Sequence, residues 1–144
     1  MTVLNYDELI NYQGNLSMVD GGFDPLHEGH IAYFKAAKKL GQKVICVANT
    51  DEYISSKHKV ILPEECRLQV LDSIKYINYV TVNCSTTAEM IRAIRPKYYV
   101  KGEDWAGKLP KEEVDTCQEI GCEIVYTKTV RNSSSKIVRD SFNS

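Results

Sequence analysis

The sequence predicts an α/β fold, a doubly wound, Rossmann-like parallel sheet of five or so strands with helices on both faces. Short apolar, β-branched runs alternate about five times with stretches whose apolar residues recur every three or four positions. Polar or glycine-rich corners follow the predicted strands, as they do at the ligand-binding edge of parallel sheets. A length of 144 residues with 43% apolar and 26% charged content indicates a single globular domain over residues 1–144.

The first elements surround a turn that contains Gly21 and Gly22, called the glycine turn below. Residues 7–12 predict one or two turns of helix, and the apolar residues 16–19 predict the first strand. A helix is predicted over 28–40, because Ile31, Phe34 and Ala37 recur on one face and Gly41 is a suitable left-handed cap.

The next segments alternate in the same way. Residues 43–49 are almost continuously apolar and β-branched, which is typical of a strand buried on both faces. Residues 50–59 are polar without a clear period and predict a mobile loop. Pro63 opens a predicted helix with an apolar face formed by Leu68, Leu71 and Ile74.

The second half completes the pattern. Thr86 and Glu89 predict a capping box before a short helix that Pro96 ends. The other predicted elements are a strand at 79–82, a strand at 98–101, a helix at 110–120 capped by Gly121, a strand at 122–126, and a hydroxyl-rich tail at 129–135 that opens a final helix with Ile137, Val138 and Phe142.

Composition narrows the possible partners. The net charge of −1 provides no global attraction for nucleic acid or an anionic membrane. No apolar run approaches the ~18 residues that a membrane span needs, and no secretory signal pattern opens the chain, so we expect a cytoplasmic protein. The five cysteines lack CxxC spacing and predict reduced thiols, with Cys46, Cys66 and Cys117 at apolar positions.

Residues 19–30 are the candidate site, because a strand, two glycines and a helix start follow one another. Gly21 and Gly22 let the backbone approach a ligand, and the helix start offers free N–H groups to a phosphate. His27 and His30 lie at i and i+3, where two imidazolium groups could stabilise a phosphate that gains charge. Zinc and dinucleotide sites are disfavoured, because no cysteine cluster or GxGxxG motif accompanies the pair.

The sequence Gly21-Gly22-Phe23-Asp24-Pro25-Leu26-His27-Glu28-Gly29-His30 resembles the G-x-F-D-x-x-H-x-G-H signature of the cytidylyltransferase-like nucleotidylyltransferases. The resemblance extends from about residue 16 to 139. Residues 100–105 and 132–137 are similar to the family's base-binding corner and closing serine/threonine segment, in particular to members that act on heptose or glycerol phosphates.

The resemblance implies a role for each matching residue. His27, His30 and Lys59 would be catalytic, and Arg131 would contact the acceptor or the pyrophosphate. The residues expected to bind the nucleotide are Gly21, Gly22, Phe23, Asp24, Lys57, Arg67, Gly102, Asp104, Trp105, Ser133, Ser134 and Ser135.

The implied reaction transfers a nucleoside monophosphate from ATP or CTP to a small phosphorylated sugar or polyol and releases pyrophosphate. Mg²⁺ would accompany the triphosphate and need no protein metal site, since the sequence holds no acidic cluster. The resemblance also implies a homodimer. The alternative is a non-catalytic nucleotide-binding regulatory domain on the same fold, and the intact histidine pair argues against it.

Overall fold

The computed structural model describes residues 3–128, which contain a five-stranded, all-parallel sheet. The strand order is β3-β2-β1-β4-β5, so the chain reverses direction across the sheet between β1 and β4. This confirms the predicted doubly wound fold. The strands are β1 (Leu16–Gly21), β2 (Lys43–Ala48), β3 (Tyr79–Val82), β4 (Tyr98–Gly102) and β5 (Glu123–Thr127).

Helices cover both faces of the sheet. They are α1 (Glu28–Lys38), α2 (Asp51–Ser55), α3 (Glu64–Asp72), α4 (Thr87–Ile94) and α5 (Lys111–Ile120), with 3₁₀ turns at Tyr6–Tyr12 and Glu103–Trp105. One apolar core contains Phe34 of α1 and Leu71 of α3, and the other contains Met90 of α4 and Cys117 of α5. The inner strands β1, β2 and β4 are therefore buried between two layers, whereas no residue of the edge strand β5 is fully buried.

Two local predictions need correction. The predicted mobile loop at 50–59 contains α2, whose start is capped by the Thr50 hydroxyl, which accepts a hydrogen bond from the Tyr53 N–H. Five residues are too short to show a helical period, so the sequence pattern missed this helix. At α4, the Thr86 hydroxyl accepts from the Glu89 N–H, but Glu89 does not complete the capping box.

The cysteines are all free, but one predicted buried position is wrong. Cys66 is exposed, whereas Cys122 is buried together with Cys46 and Cys117. Cys66 lies on the solvent side of α3, and Cys122 precedes β5 at the core that α4 and α5 cover. Among residues 3–128, no helix is both long and apolar enough to cross a bilayer.

Candidate active site

A cavity of about 360 Å³ opens at the carboxyl ends of β1, β2 and β4. This is the edge where parallel sheets bind ligands, at the point where the strand order reverses. The sequence-predicted residues that line the cavity are Gly21, Gly22, Phe23, Asp24, His27, His30, Lys57, Gly102, Asp104 and Trp105. The structure therefore brings together the glycine turn, the segment 50–59 that contains α2, and the corner after β4.

The glycine turn is shaped by the Phe23 side chain. Phe23 has a φ of 56°, in the left-handed region, and its ring is buried against His30 and Phe34. A Cβ on Gly21 would lie 3.0 Å from Phe23 Cζ, closer than ordinary contacts allow. Gly21 is thus needed to pack the phenylalanine, in addition to the ligand access that the sequence predicts.

The two histidines form a stacked pair at the start of α1. Their ring centroids are 3.8 Å apart. The Gly29 N–H donates to Nδ1 of His27 at 3.0 Å, and the His27 N–H donates to Nδ1 of His30 at 3.2 Å. Because both Nδ1 atoms accept hydrogen bonds, each neutral ring carries its proton on Nε2. The Nε2 of His27 is buried and has no hydrogen-bond partner within residues 3–128.

This geometry corrects the expected imidazolium pair. Burial, and next the neighbouring His27, lower the pKa of His30 from 6.5 to about 3, against an opposing effect of Glu28. Burial also lowers the pKa of His27. A proton on either Nδ1 would meet a backbone N–H and remove its acceptor. The pair therefore consists of neutral imidazoles at physiological pH, and each can offer an Nε2–H donor.

The depressed pKa of His30 predicts a pH-dependent stability. Between about pH 6.5 and 3 the unfolded chain protonates this histidine while the folded chain does not, so the free energy of unfolding falls as the pH falls. His30→Gln keeps a capping acceptor but cannot titrate. We expect the wild-type protein to lose about 2–3 kcal/mol more than His30→Gln between pH 7 and pH 4 in urea unfolding. Parallel pH curves would contradict the depressed pKa.

A buried carboxylate joins the glycine turn to the segment before α3. Asp24 is 1% exposed, and its two oxygens accept hydrogen bonds from the Ile61 and Leu62 N–H groups at 2.7 and 2.8 Å. Asp24 also lines the cavity. Its two backbone bonds make it primarily a clamp that fixes the position of the turn.

Arg67 has a different position from the one expected of a nucleotide-binding residue. It is 1% exposed and is not among the residues lining the cavity. Its guanidinium donates to the carbonyls of Gly22, Asn49 and Leu62 and to the Asp51 carboxylate. The bond to Asp51 lowers the pKa of that carboxyl group, and the four bonds together use four of the five guanidinium N–H groups. Arg67 therefore ties together three chain segments beneath the site.

The wall beside β4 contains residues that the sequence did not single out. Lys101 and Asp20 form a nearly buried ion pair, with the Nζ and Oδ1 atoms 2.9 Å apart. The same ammonium lies 4.5 Å from the centroid of the Trp105 ring. Both members of the pair line the cavity, as do Tyr33, Asn49, Tyr53, His58, Thr127 and Lys128. A charged residue directly before Gly21 and another before Gly102, each ending an apolar strand, were the available sequence signals.

Two tyrosine hydroxyl groups contact Asp20 of the Asp20–Lys101 pair. The Tyr99 hydroxyl lies 2.8 Å from Glu113 Oε1 and 3.3 Å from Asp20 Oδ2. Burial raises the pKa of Glu113, and it also raises the pKa of Tyr99 far above its ordinary value. The Tyr33 hydroxyl donates to the Val100 carbonyl and accepts from the Asp20 N–H. These contacts hold the Asp20–Lys101 pair in place in the cavity wall.

Lys57, His58 and Lys59, which follow α2, differ in their positions. Lys57 and His58 line the cavity, whereas Lys59, the expected catalytic lysine, is exposed and is not among the lining residues. The predictions for Arg131, Ser133, Ser134, Ser135 and the final helix lie outside the described residues.

The described part of the chain contains no group of three or more histidine, cysteine, aspartate or glutamate side chains that could hold a metal ion. In the cavity wall, Asp20 is paired with Lys101 and Asp24 with two backbone N–H groups. These residues do not fit a protein-bound metal centre. A Mg²⁺ ion would therefore have to be held mainly by the phosphate oxygens of a nucleotide.

Comparison with known proteins shows the family to which the chain belongs. The cytidylyltransferase-like family matches residues 18–140. The FAD synthase of Archaeoglobus fulgidus is 32% identical over 84% of this chain and 93% of its own length. The bifunctional protein HldE of Desulfatibacillum aliphaticivorans is 28% identical over 92% of this chain, which spans 28% of that protein.

A solved structure shares the fold. The lipopolysaccharide core biosynthesis protein from Thermoplasma volcanium superposes with a TM-score of 0.67 over 82% of this chain and 98% of its own length, at 24% sequence identity. At that identity the likeness concerns the fold alone. From the match over residues 18–140 and the relatives that share it, the chain belongs to the cytidylyltransferase-like family and is an enzyme of the nucleotidyltransferase class.

Proposed function

We propose that the protein transfers the adenylyl group of ATP to a phosphorylated acceptor, with flavin mononucleotide as the first candidate acceptor. The observation that carries the transfer chemistry is the neutral His27–His30 pair in the cavity. The buried Nε2 of His27 has no hydrogen-bond partner among residues 3–128. A buried N–H donor without an acceptor is costly, so its retention favours a ligand oxygen at that position.

In the proposed reaction an oxygen of the acceptor phosphate attacks the α-phosphorus of ATP in line. The new bond joins this oxygen to the α-phosphorus, the bond to the bridging β-phosphate oxygen breaks, and pyrophosphate leaves with that electron pair. The Nε2–H groups of His27 and His30 donate to the non-bridging α-phosphate oxygens, where negative charge concentrates. Because these donors are fixed before substrate binds, they stabilise the transition state without reorganisation.

Lysine and other polar side chains would bind the remaining phosphate groups of the substrates. Lys57 and Lys101 both line the cavity. The Lys57 ammonium can bind a phosphate, whereas the Lys101 ammonium is shared with the Asp20 carboxylate. Lys59, the expected catalytic lysine, would have to reach the phosphates by a movement of its segment. Arg131 and the serines at 133–135 remain predictions for the pyrophosphate and the triphosphate. Mg²⁺ would bind with the triphosphate, and a homodimer remains a prediction from the family resemblance.

The acceptor is proposed from the relatives. The similarity to the Archaeoglobus fulgidus FAD synthase covers 84% of this chain and 93% of that protein, which supports ATP and flavin mononucleotide as the substrates. A sugar phosphate of the heptose 1-phosphate or glycerol 3-phosphate type is the second candidate. The similarity to bifunctional protein HldE over 92% of this chain and the residues 100–105 support it.

A substrate matrix tests the proposal. The purified protein is incubated with ATP or CTP and with flavin mononucleotide, heptose 1-phosphate or glycerol 3-phosphate, and pyrophosphate release and the coupled product are measured. We expect pyrophosphate and FAD from ATP with flavin mononucleotide. Transfer to a sugar phosphate alone would replace the first candidate with the second. Tight nucleotide binding without turnover on any acceptor would favour the regulatory-domain alternative.

A further inference from the structure

Two half-exposed aromatic rings line the cavity on either side of the glycine turn. Tyr53 is 52% exposed and Trp105 is 43% exposed. Tyr53 belongs to α2, which follows β2, and Trp105 follows β4; β2 and β4 flank β1 in the sheet. Exposed aromatic rings in a cavity provide flat apolar surfaces for ligand rings.

Each of the two rings lies beside a lysine. The Lys101 ammonium is 4.5 Å from the centroid of Trp105, and the Lys57 ammonium is 5.5 Å from the centroid of Tyr53. Each wall thus combines a flat ring with a cation, which matches a ligand that combines an aromatic ring with a phosphate. A nucleotide can occupy one such wall. The second wall is then available to another aromatic, phosphorylated molecule.

The helix that carries Tyr53 is held in place by contacts of its other residues. The Asp51 carboxylate accepts from the buried Arg67 at 2.7 Å and from the Glu64 N–H at 3.1 Å. Ile54 is 3% exposed, and it would contact a Cβ placed on Gly22 at 3.4 Å. Because this helix is already held in place, no backbone entropy of the helix has to be lost when a ligand contacts the Tyr53 ring.

We propose that Tyr53 and Lys57 form the acceptor-binding wall and select an aromatic phosphomonoester. The Tyr53 ring stacks on the flat ring of the acceptor, and the Lys57 ammonium binds its phosphate before attack on the α-phosphorus. Trp105 and Lys101 receive the nucleotide on the other side of the glycine turn. The inference rests on the proposed adenylyl transfer and identifies residues that favour flavin mononucleotide over a sugar phosphate.

The test compares Tyr53→Ala and Tyr53→Phe with the wild-type protein and with Tyr6→Ala. Tyr6 is 43% exposed in the first 3₁₀ turn and does not line the cavity, so it is a matched control. We expect Tyr53→Ala to raise the KM for flavin mononucleotide about tenfold, while Tyr53→Phe stays within about threefold. The KM for ATP should change by less than about twofold in both variants. Tyr6→Ala should match the wild-type protein.

Binding of flavin mononucleotide in the absence of ATP gives a second readout. Titration of the wild-type protein should quench the flavin fluorescence, and Tyr53→Ala should weaken the binding by a similar factor. A wild-type enzyme that makes FAD, with an unchanged KM and binding constant in Tyr53→Ala, would overturn this inference and leave the proposed function intact. A rise in the KM for ATP instead would reassign Tyr53 to the nucleotide. A wild-type protein that adenylylates a sugar phosphate but makes no FAD would overturn this inference and replace only the first candidate acceptor. A wild-type protein that transfers an adenylyl group to none of the acceptors would overturn both proposals.

Discussion

His30→Ala is expected to lower kcat at least about a hundredfold, with a similar effect for His27→Ala. Each ring offers an Nε2–H donor on a scaffold that is already fixed by its Nδ1 hydrogen bond. Removal of one such donor from a developing oxyanion typically costs about 3–4 kcal/mol of transition-state stabilisation. Because the bond strengthens as the α-phosphate gains charge, kcat should fall more than the KM for ATP rises. Steady-state kinetics with the preferred acceptor measures both parameters.

The matched comparison uses the third histidine of the chain. His58 also lines the cavity, but its Nδ1 atom contacts the carbonyl of Lys59. We expect His58→Ala to lower kcat less than about tenfold, because His58 lies outside the stacked pair that the α1 N-terminus holds in place. Circular dichroism and thermal melts establish that all variants are folded, since loss of the cap alone costs about 1 kcal/mol. Near-normal turnover in both His27→Ala and His30→Ala would contradict the catalytic assignment.

The fold and the centre of the site were predictable because their signals are local. The continuous apolar sequence of β2 and the three-residue spacing of His27 and His30 are each contained within a few neighbouring positions. The protonation state of the histidines was not predictable in this way. It depends first on the burial of the two rings in the folded chain, which lowers both pKa values. The two backbone N–H groups that donate to the Nδ1 atoms then place the proton of each neutral ring on Nε2.

The remaining site residues depend on contacts between distant segments. Asp20 and Lys101 meet because β1 lies beside β4, although β2 and β3 separate them along the chain. Tyr53 faces the cavity because α2 forms within a polar stretch that shows no helical period. Arg67 matched a family position in the sequence, but only the folded chain brings three carbonyl groups and Asp51 to its guanidinium.

Replacement of Arg67 is expected to have the largest effect on stability. In Arg67→Met the carbonyls of Gly22, Asn49 and Leu62 lose a charged donor, and Asp51 loses its ion pair. A buried polar group left without its partner costs about 1–3 kcal/mol, and here three carbonyl groups lose the same donor at once. We expect the free energy of unfolding in urea to fall by about 3–5 kcal/mol. Arg67→Lys should recover little of it, because an ammonium cannot reproduce the planar fork.

Arg92→Met is the matched control, because Arg92 pairs with Glu119 at the surface and its side chain is 46% exposed. An exposed ion pair contributes about 0–1 kcal/mol, so this variant should unfold nearly as the wild-type protein does. The comparison also separates the two roles considered for Arg67. If Arg67→Met kept wild-type stability and lost ATP binding, the arginine would be a nucleotide ligand, as its sequence position suggested. If the stability of Arg67→Met falls and saturating ATP still raises its melting temperature, the nucleotide site is intact without the arginine, because a ligand stabilises only the folded protein that binds it. Arg67 then acts by holding together the glycine turn, the corner after β2 and the segment before α3.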